Sequence, residues 1–167
     1  MRTVPEADSD SVNGRLADFF CGRREEMTKA WVARLQRDPG IGTESLSANQ
    51  LRDHLPRLFD DLADLLRRYG SEEVRERTER DAEKHGGERW QQGFSLPALL
   101  REIMHLRAIF IYHLRVFEEL HPDFGSAARL FAHSTVHQFL DQMAIDATQQ
   151  FLAADKHARR ERSGVGL

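Results

Sequence analysis

From Leu96 to Phe117 the apolar residues Leu96, Leu99, Ile103, Leu106, Phe110, Leu114 and Phe117 follow one another at steps of three and four. Ile109, Ile111, Tyr112 and Val116 then spread the apolar surface almost all the way round. That periodicity is helical, and a helix apolar on several sides belongs in the middle of a bundle or in a subunit interface. Ser95 stands where an N-cap is needed, and Pro97 falls in the first turn, where its missing N–H costs nothing. The other segments have to be arranged around this central helix.

Each of those segments also reads as helix. Leu16, Phe20, Met27, Trp31 and Leu35 mark one buried face from Asn13 until Asp38-Pro39-Gly40 stops it. After a linker over Ile41 to Leu46, Ser47 can cap a second helix with the stripe Leu51, Leu55, Leu58, Leu62 and Leu65, ending at Tyr69-Gly70. Pro56 inside it should kink it or shift its start. Ser71-Glu72-Glu73 opens a third helix that runs to about Gln92 before Gly93 closes it, with Val74, Thr78, Ala82, His85 and Arg89 on its inward face.

After the turn His121 to Gly125, a fifth helix starts at Ser126 and meets neither Gly nor Pro until Gly164. Val136, Leu140, Met143, Ala147 and Ala154 keep a spacing suited to a short coiled-coil seam, which assigns them to dimerisation and signalling. No strand pattern or internal repeat interrupts the chain. The expected fold is therefore all-α: a single-domain bundle of about five helices with a long C-terminal helix. Residues 1–12 read as a flexible leader, 13–154 as the bundle and 155–167 as a charged helix extension and tail.

A chain of 167 residues is long enough to bury a proper core without staples. With a net charge of -3 and 31% charged residues, neither sign dominates. This argues against a nucleic-acid or membrane-surface binder, and the basic run from His157 to Arg162 is too short to change that. No apolar run approaches the roughly 20 residues of a membrane span. The single cysteine, Cys21, cannot form an internal disulfide and no zinc-site spacing occurs, so a reducing cytoplasmic setting is expected. Cys21 and the two tryptophans, Trp31 and Trp90, read as packing residues.

Polar groups on core-facing positions need partners or a job. His85, Arg89, Glu102 and Arg107 lie on two consecutive helices joined by a tight Gly-Phe-Ser turn, and an antiparallel hairpin would bring Arg89 beside Glu102. These four are the expected polar joint, either a network fixing the packing or a signal-sensing site. A metal site is the competing reading. Glu102 and His105 have the Glu-x-x-His spacing of di-iron bundles, and His133 and His137 stand one turn apart, but a second Glu-x-x-His is absent. No phosphate loop, nucleophile elbow or nucleophile–base pair occurs, so neither enzymatic activity nor a cofactor is expected. His54 lacks the surroundings of a phosphoacceptor histidine.

Trp31 with Arg34-Leu35, the segment L-R-D-H-L-P-R-L-F-D-D-L from Leu51, and H-G-G-E-R-W-Q-Q-G-F-S-L-P-A-L-L-R-E-I from His85 resemble, in order and separation, the RsbRD-type N-terminal domain of the RsbT co-antagonist family. That domain also stands at the N-terminus of bacterial sensor histidine kinases. The similarity spans roughly Leu16 to Phe151. It implies a non-catalytic helical input domain, dimeric, whose C-terminal helix leads to a kinase or STAS-type output module in cis or in trans. Neither module is present in this chain.

Overall fold

The computed structural model describes residues 12–42, 46–52, 55–67 and 72–164. The first eleven residues, His54, Tyr69-Gly70-Ser71 and the last three residues lie outside them, so the expectations of a flexible leader, a tail and a rejected phosphoacceptor at His54 fall there. The described residues form seven helices and no strand: α1 (Val12–Gly22), α2 (Arg24–Arg37), α3 (Ala48–Arg52), α4 (Leu55–Arg67), α5 (Glu72–Gln91), α6 (Leu96–Leu120) and α7 (Ser126–Gly164). The all-α bundle with a long last helix is as expected. The larger number arises because the first expected helix divides and the second is described in two parts, α3 and α4, on either side of residues 53–54, which lie outside the described residues.

The division of the first falls at Gly22-Arg23. Arg23 leaves helical geometry (φ -105°, ψ 10°), yet its N–H still reaches the carbonyls of Phe19 and Phe20, both at 3.2 Å. Phe20 and Met27 are seven residues apart, close to two turns, so the apolar stripe passes the break without a change of phase. The expected kink or shifted start at Pro56 turns on residues 53–54, which lie outside the described residues; Pro56 itself is helical, within α4. Ser47 and Gln50 form a reciprocal cap on α3: the Gln50 N–H donates to Ser47 Oγ at 3.2 Å, and the Ser47 N–H donates to Gln50 Oε1 at 2.8 Å.

α6 occupies the centre, against α1, α2 and α7. Its Leu99, Ile103, Leu106, Phe110, Leu114 and Phe117 are all buried. Phe110 meets the rings of Phe20 and Phe59, which gathers α1, α4 and α6 around one aromatic cluster. Tyr112, expected to widen the buried surface, points outward at 61% exposure.

α5 rests on α7 and α4, and its backbone is not closely packed on α6. The expected hairpin of the third and fourth helices is therefore bridged by long side chains and not by backbone proximity. The reason is Gly86. A Cβ there would stand 2.0 Å from the Ala147 carbonyl oxygen, so α5 and α7 touch backbone to backbone at this point. α5 offers few apolar side chains, and it docks by contact distance instead of apolar area.

Val136, Leu140, Met143 and Ala147 are all buried inside the bundle, none more than 1% exposed. This corrects the expected dimer seam. The stripe faces the protein's own core, because the α7 face that closes on Gly86 is the same face that carries the three-four spacing. After Phe151, α7 has no buried residue.

Where α4 meets α5, Arg77 Nε donates to Asp61 Oδ1 at 2.6 Å and Arg77 Nη2 to Asp64 Oδ2 at 2.8 Å. Asp61 is only 1% exposed, and burial pushes its carboxyl up to about 6 against the pull of Arg77, with Asp81 raising it further. The folded chain thus keeps a proton on Asp61 at pH values where the unfolded chain, at the ordinary 3.8, has lost it. Stability contributed here falls as pH rises from about 4 to about 6, by on the order of 2 kcal/mol. Asp61→Asn should flatten that slope in urea midpoints taken on either side of the window. An equal slope in both proteins would refute the assignment.

Candidate functional site: a buried polar joint

The centre of the joint is Arg89, which has no exposed surface. It sits in the last turn of α5, and the residues after it explain its placement. Gly93 takes a left-handed conformation (φ 82°), its N–H returns to the Trp90 carbonyl at 3.0 Å, and the Phe94 N–H returns to the Arg89 carbonyl at 3.0 Å. This is a Schellman closure, which glycine permits. It lays the Phe94 ring beneath the guanidinium, 4.9 Å from its carbon. Ser95 Oγ then accepts the Ala98 N–H and starts α6.

Every guanidinium nitrogen of Arg89 is used. Nε donates to both carboxyl oxygens of Glu102, at 3.1 and 3.0 Å; Nη1 donates to the Gln50 carbonyl at 3.2 Å and to Gln92 Oε1 at 2.6 Å; Nη2 donates to the Leu51 carbonyl at 2.9 Å. Gln50 and Leu51 belong to α3, so the guanidinium is tied to the backbone of that helix.

Glu102 is equally enclosed and also accepts from His85 Nε2. Burial pushes its carboxyl up, but the charges and hydrogen bonds of His85 and Arg89 outweigh that, so the group is lowered overall. Its backbone carbonyl accepts the Trp31 indole N–H at 3.1 Å, which adds α2 to the joint. Four helices therefore meet on one ion pair. The free space beside it is about 10 Å³, between Trp31, His85, Glu102 and Met143. That is no more than a water needs, so the joint is a filled network and has no room for a larger ligand.

Arg107 does not belong to this set. It lies five residues beyond Glu102, about 140° further round α6, and turns to α7. There Nη1 donates to His137 Nδ1 at 2.8 Å and Nη2 pairs with Asp141. The expected joint is thus His85, Arg89 and Glu102, with Trp31 and the α3 carbonyls as partners that sequence reasoning missed. Trp31 looked like a pure packing anchor, because its stripe position says nothing of where its N–H goes.

The four residues of the metal reading part company. Glu102 is held in the joint, His105 Nε2 pairs with Asp38 Oδ2 at 2.7 Å, His133 Nε2 with Glu118 Oε1 at 2.7 Å, and His137 with Arg107. Among the described residues no three His, Cys, Asp or Glu side chains are grouped to hold a metal ion. Asp38 is bound by Arg101 as well as His105, and these two hold its carboxyl well below the usual carboxylate range.

Joint, turn and central helix all fall within a stretch that a family model recognises. The model, described as the RsbT co-antagonist protein rsbRD N-terminal domain, matches residues 25–165. The chain belongs to the RsbRD N-terminal domain family. This is a family of regulatory input domains of the stressosome type, which fits a site built as a packing network. His85, Arg89, Gly93-Phe94 and Glu102, four of the features that carried the resemblance, are the parts of one joint in this RsbRD-type domain. The match begins inside α2, so α1 lies outside it, although Leu16 and Phe20 are buried in the same core. No curated protein and no solved structure matches the chain. Among the described residues no helix is long and apolar enough to cross a membrane.

Proposed function

We propose that this domain is a non-catalytic input module of bacterial signal transduction, cytoplasmic and homodimeric, that passes a change in helix packing from the joint to α7 and on to a kinase or STAS-type output module, in cis or in trans. The observation that carries the reading is the family match combined with the position of α5. One end of this helix is clamped by Arg89 to α3 and α6, and about one turn earlier it lies directly on the α7 backbone at Gly86. A rearrangement of the clamp moves α5, and α7 has to follow.

An input acts on such a device only through different affinity for its two arrangements. Glu102→Gln keeps the shape of the joint and removes the charge that both His85 and Arg89 satisfy, so it biases the packing without excavating the core. In the natural signalling context this variant is expected to shift the basal output; wild-type stability together with wild-type output would defeat the role given to the joint. The homodimer has to use a surface other than the buried Val136–Ala147 face, and sedimentation of a monomer at high concentration would remove it from the proposal.

A further inference from the structure

One side of α7 faces away from the core, and its character changes along the helix. Its middle borders a groove of about 630 Å³ against the end of α4 and the first half of α5, with Leu65, Phe131, Phe139 and Ile145 as apolar walls. Glu72, Glu76, Glu79, Asp141 and Asp146 line that groove against Arg75 alone, and Arg75 is paired with Glu72 at 3.3 Å. The end of the same helix is basic: Lys156, His157, Arg159, Arg160 and Arg162 stand there against Glu161. Asp155 holds Arg159 at 2.8 Å and Glu161 holds His157 at 3.2 Å. Among the described residues Lys156, Arg160 and Arg162 have no acidic partner, and Glu76 and Glu79 have no basic one.

Groove and basic end lie on one line. Phe131, Gln138, Ile145, Leu152 and Arg159 follow at steps of seven, close to two turns, so they share a face. Ile145 and Leu152, at 51% and 49% exposure, stand where the acid-lined half gives way to the basic half. Such a face complements itself when two copies run antiparallel. A two-fold axis at Thr148-Gln149 lays Ile145 of each copy on Leu152 of the other, twice over by symmetry. The charges then meet with no further adjustment. α5 runs beside α7 in the same direction, with Gly86 on Ala147 and Trp90 by Asp155. Glu76 and Glu79, ten and seven residues before Gly86, therefore stand level with His137 and Leu140 of α7. In the antiparallel register Arg160 and Lys156 of the second copy come level with His137 and Asp141, beside those two glutamates. A parallel pairing would instead set Lys156, Arg160 and Arg162 against their own copies, and like charges so placed repel.

We infer that the exposed face of α7 is a docking surface for a second copy of this chain, with the two α7 helices antiparallel and the basic end of each in the acid-lined groove of the other. The inference rests on the homodimer proposed above and supplies its surface.

Sedimentation equilibrium of the full chain is expected to show a dimer whose dissociation constant rises with salt. Leu152→Asp, and separately Lys156→Glu with Arg160→Glu, should each raise that constant at least about tenfold. Adding Glu76→Lys and Glu79→Lys to the charge-reversed variant should recover most of the loss. All five positions are exposed, and circular dichroism establishes that each variant is folded. The register has its own test. Ile145→Cys and Leu152→Cys, each in a Cys21→Ser chain, should form a disulfide when mixed under mild oxidation, and neither should link to itself. Self-linking of both variants would mean a parallel seam and would overturn the inference, as would a dimer that the folded variants leave undiminished; either result keeps a homodimer on other terms. A wild-type monomer at high concentration would remove this surface and the proposed homodimer together, and the non-catalytic input role would stand apart from both.

Discussion

Arg89→Ala is expected to lower the unfolding free energy by about 3–5 kcal/mol. The loss comes less from the attraction that disappears than from what remains: Glu102 stays fully enclosed, with His85 as its other side-chain partner, and the Gln50 and Leu51 carbonyls lose their donor. Removing both charges by Arg89→Met with Glu102→Leu should therefore be milder than either single change, because the low-dielectric interior no longer has to hold an uncompensated ion. Urea unfolding of the three variants tests this; a double variant as damaged as the sum of the singles would show that Arg89 acts by packing alone. The pH dependence has a definite sign. The Glu102 carboxyl is lowered from 4.5 in the folded chain, so its contribution is present above that value and is lost as the solution is acidified through the folded value. Asp61 works in the opposite sense over about pH 4 to 6, and each variant should remove one of two opposed slopes.

Gly86→Ala should be almost as damaging, at about 3 kcal/mol, although it adds a single methyl group. Its Cβ would lie 2.0 Å from the carbonyl oxygen and 2.7 Å from the carbonyl carbon of Ala147, and backbone cannot swing aside as a side-chain tip can. The neighbouring Gly87→Ala is the control. There the nearest atom is Gln150 Cγ at 3.5 Å, an ordinary contact, so the change should be neutral or stabilise by about 0.5–1 kcal/mol through helix propensity. Thermal melts of the two variants should separate clearly, and similar melting temperatures would show that α5 and α7 can part without loss.

Both of these residues lie in the Sequence His85-Gly86-Gly87-Glu88-Arg89, yet only part of their role was legible there. The inward set Val74, Thr78, Ala82, His85 and Arg89 followed from the helical repeat, and the pairing of Arg89 with Glu102 followed from the short Gly-Phe-Ser turn between their helices. Arg107 was misassigned, since its nearness to Glu102 along the chain concealed a rotation of more than a third of a turn. The α7 stripe was read correctly as apolar and wrongly as a dimer seam: spacing reveals that a face is covered but not by what. The break at Gly22-Arg23 stayed hidden because the stripe keeps its phase across it. Asp146 and Asp61 gave no signal, since an acid on a charged helix looks solvated until the fold buries it.

α7 runs without interruption for 39 residues, and its contact with Gly86 falls at Ala147, a little beyond its midpoint. From there to Gly164 the helix extends about 25 Å, the final stretch without a buried residue. It is a lever with its fulcrum inside the bundle. A tilt of about 5° at Ala147, of the size that sliding one packed helix over another supplies, displaces the far end by about 2 Å. On the proposed function, a shift too small to disturb the core would thereby become one large enough to make or break side-chain contacts at an output module.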